Sequence, residues 1–126
     1  METVAAKPST VAPSLAGVWE IKDDLNNLYF MNADSDGQYI MSASNALGDS
    51  HGIYKMEGQN KFKMKDWSFV YNKENQAEAI QIVDGEVIVY DNSAKLDGFV
   101  KVSIRDIKTG KISTFESKCT GIRLID

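Results

Sequence analysis

A triplet of aromatic, any residue and methionine recurs four times along the chain, as Tyr29-Phe30-Met31, Tyr39-Ile40-Met41, Tyr54-Lys55-Met56 and Phe62-Lys63-Met64. In a β-strand, residues i and i+2 share a face, so each copy sets a ring beside a thioether. The first two copies are symmetric about Ser35 and predict a hairpin there, with Tyr29 opposite Met41 and Met31 opposite Tyr39. The next two are symmetric about Gln59, which sets Tyr54 opposite Met64 and Met56 opposite Phe62. Two successive hairpins, over 28–43 and 52–65, would thus present one face of alternating rings and thioethers.

Alternation continues on either side. From Gly17 to Asp23, Trp19 and Ile21 fall on one face and Glu20 and Lys22 on the other. Trp67, Phe69 and Tyr71 alternate with smaller or polar residues and predict that the strand continues past a kink near Asp66. Residues 72–76 read as a polar loop. Ala77 to Asp91 reads as a hairpin about Asp84-Gly85, a favoured two-residue turn, pairing Ile82 with Val87 and Ile80 with Val89. Gly98 to Ile107 and Lys111 to Leu124 form a last pair about Lys108-Thr109-Gly110-Lys111, with Ile104 facing Phe115 and Val100 facing Cys119. No helical period of useful length interrupts this series. The predicted fold is all-β, an antiparallel up-and-down meander of eight to ten strands closing into a barrel, because closure removes edges that an open sheet must protect.

Composition sharpens the limits. A chain of 126 residues suits one domain. Residues 2–16 hold both prolines and are rich in Ala, Ser, Thr and Val, so 1–16 read as a disordered arm or linker and 17–126 as the β-domain. The arm lacks a charged n-region and a long apolar stretch, and is no secretory signal itself. Such tracts often follow a removed signal or an anchor, which favours an exported protein, periplasmic or secreted. The net charge of −4 argues against nucleic acid as partner, and no apolar run is long enough for a membrane-spanning helix. Cys119 is the single cysteine, so stability must come from the core and not from an internal disulfide.

Two motifs at opposite ends carry a resemblance. Gly17-Val18-Trp19 opens the first strand, and Arg123 lies in the last, within Gly121-Ile122-Arg123-Leu124. This is similar to the signature of the lipocalins and wider calycins, small barrels in which a G-x-W lies beneath an arginine of the final strand. The resemblance implies a barrel floor closed by Trp19, with Arg123 packed across its ring. The chain lacks the disulfide, the Thr-Asp-Tyr loop motif and the C-terminal helix of ordinary lipocalins, so a small bacterial lipocalin-like or streptavidin-like barrel is the nearer likeness.

An eight-stranded barrel is either filled by its own side chains or holds one small ligand. The aromatic–Met face suits a lumen for a small apolar molecule, lined by Trp19, Tyr29, Met31, Tyr39, Met41, Tyr54, Met56, Phe62 and Met64, with the Tyr hydroxyls orienting a polar end. The same residues could instead pack as a core. The thioethers, with His51 and Cys119, do not form the closely spaced cluster a soft-metal site needs. Asn32, Asp34 and Asp36 follow the spacing of a calcium loop, but Ala43 stands where the bidentate Glu belongs, which excludes an EF-hand. Lys55, Lys61, Lys63 and Lys65 form an outward basic strip. Phe30 and Ile40 face outward together, and the arm (through Val4, Val11 or Leu15), a second copy or a partner protein would have to cover them. His51 is the single histidine, placed in a Gly/Asp/Ser loop with no nucleophile elbow, phosphate cradle or zinc spacing around it, so no enzyme is expected. The two functions this leaves are a small-molecule carrier and a filled barrel acting as a protein-interaction module, such as an exported accessory or inhibitor.

Overall fold

The computed structural model describes residues 13–44 and 49–125. Eight strands follow in order: β1 (Gly17–Asp23), β2 (Leu28–Ala33), β3 (Gln38–Ala43), β4 (Ser50–Met56), β5 (Lys61–Tyr71), β6 (Ala77–Tyr90), β7 (Lys95–Asp106) and β8 (Ile112–Ile125). Each pairs antiparallel with the next, and β8 returns to β1, so the meander closes into a barrel. No helix occurs among the described residues.

The hairpin about Gln59 keeps the register that its sequence symmetry implies, with Tyr54 opposite Met64 and Met56 opposite Phe62. The first hairpin does not. It is centred on Asp36, so Met31 faces Met41, Tyr29 faces Ala43, and Tyr39 faces Ala33. Turn chemistry decides this. Asp34 Oδ1 accepts from the amides of Asp36 and Gln38, and Gly37 takes a positive φ of 92°, so the loop comprises Ser35, Asp36 and Gly37. The last hairpin slips likewise by two residues: Phe115 faces Val102 and Cys119 faces Gly98, with Gly110 at φ 74° in the turn. A slip of two preserves every side chain's face.

Asp84-Gly85 is not a turn. Both residues lie inside β6, opposite Lys65 and Met64 on one side and Lys101 and Val100 on the other. Turning there would forfeit ladder bonds to two long neighbours, and Val100 Cγ1 occupies the space beside Gly85 that a side chain would need. The chain turns later, at Asp91-Asn92-Ser93, all left-handed with φ of 59°, 57° and 63°. Nor does β5 kink near Asp66; its pairing with β6 is regular from Lys61 to Val70. Trp67, Phe69 and Tyr71 therefore point outward, while Asp66 and Ser68 share the inward face with Phe62 and Met64.

Strands β1–β4 have six or seven residues, and β5–β8 have 11 to 14. Pairing between β4 and β5 ends at His51–Trp67, and that between β1 and β8 ends at Asp23–Cys119. Beyond those points β5–β8 extend as a four-stranded sheet past the rim of the short strands. The core lies at the other end, around Trp19, Met31, Leu96 and Val89.

Candidate binding site inside the barrel

The closed end is built from both ends of the chain. Trp19 is fully buried, and its indole Nε1 donates to the Leu15 carbonyl at 2.9 Å. Leu15, which the sequence pattern leaves in the arm, is itself fully buried; residues 1–12 lie outside the described residues. Arg123 lies opposite Trp19 in register, with its guanidinium carbon 4.5 Å from the ring centroid. Its Nε donates to the Ser93 carbonyl at 2.6 Å, and its two terminal nitrogens donate to the carbonyls of Ala16 and Ser14. One planar donor fork thus ties β8 to the segment before β1 and to the β6–β7 turn.

The chain matches no protein-family model and no curated protein. The architecture, an eight-stranded antiparallel barrel with this floor, is compatible with a lipocalin-like fold.

Inward-facing side chains above the floor change in character. Tyr39 and Phe62 are buried, and Tyr29, Met41, Tyr54 and Met64 pack against the core while remaining partly exposed. Tyr54 and Phe62 meet edge-on, with ring centroids 5.9 Å apart. Met56, at the end of β4, is 47% exposed and does not join the others.

A polar cluster crosses the same inner surface. The Tyr39 hydroxyl donates to Asp66 Oδ2 at 2.6 Å. The glycine between them makes this possible: a Cβ on Gly52 would overlap the Tyr39 ring, which lies across β4 to reach β5. Ser50 gives Asp66 a second hydrogen bond. Burial pushes the Asp66 carboxyl up to about 6, against the lowering effect of those two bonds, and the negative charge of Asp84 adds to the rise. Tyr39 is pushed far above the usual phenol range, by burial first and then by Asp66. Ser68 and Gln81 sit opposite each other in register, both buried, and Ser68 Oγ has no hydrogen-bond partner. A buried hydroxyl without a partner is an exception among folded proteins and calls for a physical reason.

Toward the rim burial is mixed: Ala79, Val102 and Ser117 remain buried. Val70, Val83, Val100 and Ile104 are half-buried, and Phe115, which shares the inward face of β8 with Ser117 and Cys119, is 46% exposed. The sequence pattern missed Ser50, Asp66, Ser68 and Gln81. Carrying the parity of Phe62 and Met64 straight through Asp66 would have placed two of them inside.

Other candidates resolve into structural roles. Asp34 organises its turn, and among the described residues no three acidic, His or Cys side chains gather as a metal site. His51 is not in a loop; it lies in β4 on the outer face between Ile40 and Trp67, away from inward-facing Cys119. Burial pushes the Cys119 thiol up to about 11, with help from the charges of Asp23, Asp97 and Asp24. The basic strip is matched by acids: Lys61 pairs with Glu86 at 3.1 Å, Lys63 with Glu57 at 3.3 Å and Lys65 with Asp84 at 3.5 Å. An open groove of about 630 Å³ runs over this mixed-charge outer surface between Ile53 and Phe99. Phe30 and Ile40 point outward, each about half exposed, but as diagonal neighbours, because Phe30 faces Ser42 and Ile40 faces Asn32. Leu15, beneath Trp19, does not cover them.

Proposed function

We propose that this protein is a non-enzymatic binding barrel that holds one small, largely apolar molecule, entered from the end opposite Trp19. The supporting observation is the contrast along one inner face, from 0% exposure at Trp19, Met31 and Leu96 to 46% at Phe115, which faces buried Val102. The closed half is a packed core, so Trp19, Met31, Tyr39 and Phe62 form the base of the site. Tyr29, Met41, Val100, Ile104 and Phe115 form the walls. Apolar walls with a few convergent polar groups are the usual make-up of a small-molecule site.

Native mass spectrometry of the freshly purified protein tests this. A bound mass of a few hundred daltons, lost on denaturation and absent from Met41→Lys, is the expected result. Equal uptake by Met41→Lys would remove the lumen assignment.

A second reading has its own observation. The outer faces of β5 and β6 carry Trp67, Phe69 and Tyr71 beside Ile80 and Ile82. His51 alone separates this strip from Ile40 in the sheet. Exposed apolar patches of this kind mark protein–protein surfaces. Ile40→Asp should then lower self-association or partner binding in sedimentation experiments, and no change would exclude Ile40 from any such surface.

A further inference from the structure

Asp66 and Ser68 project from one face of β5 into the barrel, 4% and 7% exposed. Of the Asp66 oxygens, Oδ2 is engaged by Tyr39, and Ser50 supplies the other hydrogen bond. Both donors are neutral hydroxyls. The site is therefore rich in acceptors, and among the described residues Asp66 forms no ion pair. Ser68 Oγ adds a hydroxyl that is buried and unpartnered, on the same face of β5 as Asp66. Gln81 lies directly across from it on β6. Trp19, Met31, Met41 and Ser50 are paired in turn across β1–β4, and Ser68, Gln81 and Ile104 across β5–β7, so this polar patch lies above the core around Trp19 and Met31.

We infer that Ser50, Asp66, Ser68 and Gln81 form a head-group subsite that takes a hydrogen-bond-donating alcohol or amine on an apolar ligand and rejects a carboxylate. The inference rests on the reading of the barrel as a small-molecule site. A hydroxyl or ammonium donates to the acceptors that Tyr39 and Ser50 leave unfilled, and it satisfies Ser68. A carboxylate brings a second negative charge beside Asp66, and like charges at short range in a poorly solvated site are costly.

Binding of three probes of one alkyl chain length, the amine, the alcohol and the fatty acid, tests the subsite by displacement of a neutral solvatochromic dye below each probe's micelle threshold. Wild-type protein should bind the amine and the alcohol about tenfold or more tighter than the acid, the scale of one charge-assisted hydrogen bond. Asp66→Asn should collapse the amine-to-acid ratio several-fold, and Ser68→Ala should weaken the alcohol several-fold. Thermal unfolding of both variants confirms that each remains folded. If all three probes bind equally and neither variant changes their ratio, the barrel binds but the subsite is overturned. If Ser68→Ala binds every probe as wild type does, Ser68 is an internal hydroxyl and the assignment also fails. If neither the dye nor any probe binds, the small-molecule reading fails with it.

Discussion

Asp66 shows how one carboxyl can oppose the stability of the fold that holds it. Burial raises its pKa more than the Tyr39 and Ser50 hydroxyls lower it, so folding shifts it toward the neutral form relative to the unfolded chain. Its contribution to stability is fully present below the unfolded value of 3.8 and is lost as pH rises through about 6. Asp23 works in the opposite direction. Burial disfavours its charge too, but bonds from Asn27, Tyr29 and Leu25 outweigh that and hold its carboxyl below the usual range, so its contribution is lost as pH falls. Replacing Asp66 with Asn keeps an acceptor for Tyr39 and removes the buried charge. Asp66→Asn should therefore stabilise the protein by about 1–3 kcal/mol at about pH 8, with the gain shrinking to near zero at about pH 4. Urea unfolding at both pH values checks this; a constant difference would mean that the charge on Asp66 is not the cause.

At the scale of the element, β6 is where local preference and long-range pairing disagree. Asp-Gly is a strong hairpin signal, yet the strand runs through it because β5 and β7 offer partners along nearly its whole length. Turn propensity is a local preference that pairing on both flanks can override. Hydrogen exchange separates the two arrangements. The amides of Val83 to Val87 should exchange as slowly as those of the surrounding sheet, and those of Asn92 and Ser93 should exchange fast. Rapid exchange at Asp84 and Gly85 would restore the turn. The same contest explains the first hairpin, where the Asp34 side chain and Gly37 set the loop and move the register two residues from the symmetric arrangement. Alternation decides faces, whereas turn geometry decides partners.

For the whole molecule, closure depends on a few contacts that join distant parts of the chain. Arg123 donates to Ser14, Ala16 and Ser93 and covers Trp19, so one side chain links the start of β1, the β6–β7 turn and β8. A lysine keeps the charge but not the planar fork, and cannot reach three carbonyls at once. Arg123→Lys should cost about 2 kcal/mol or more in urea unfolding, from lost charge-assisted bonds at a partly buried site. A loss below about 0.5 kcal/mol would show that burial of Trp19 and Leu15 holds the floor without it. The unequal strand lengths act at this scale too. They leave one end of the barrel sealed by Trp19 and the other flanked by the longer β5–β8 sheet, and this asymmetry supplies both the proposed mouth and the apolar outer strip.

The pairing of Trp19 with Arg123 at the barrel floor was implied by the lipocalin-like motifs, while the amino-acid sequence by itself determined the class of fold and the inward parity of the aromatic–Met residues. These follow from a period of two and from short-range chemistry, which any stretch of chain carries within itself. It did not determine that Asp84-Gly85 stays extended, that β5 runs straight through Asp66, or that Leu15 packs beneath Trp19, since each depends on what a distant strand offers in exchange. The polar cluster was hidden for the same reason. Ser50, Asp66, Ser68 and Gln81 are ordinary polar residues in sequence, and only the closing of β3 to β6 around Gly52 brings them to one place inside the barrel, where loss of solvent gives them their chemistry.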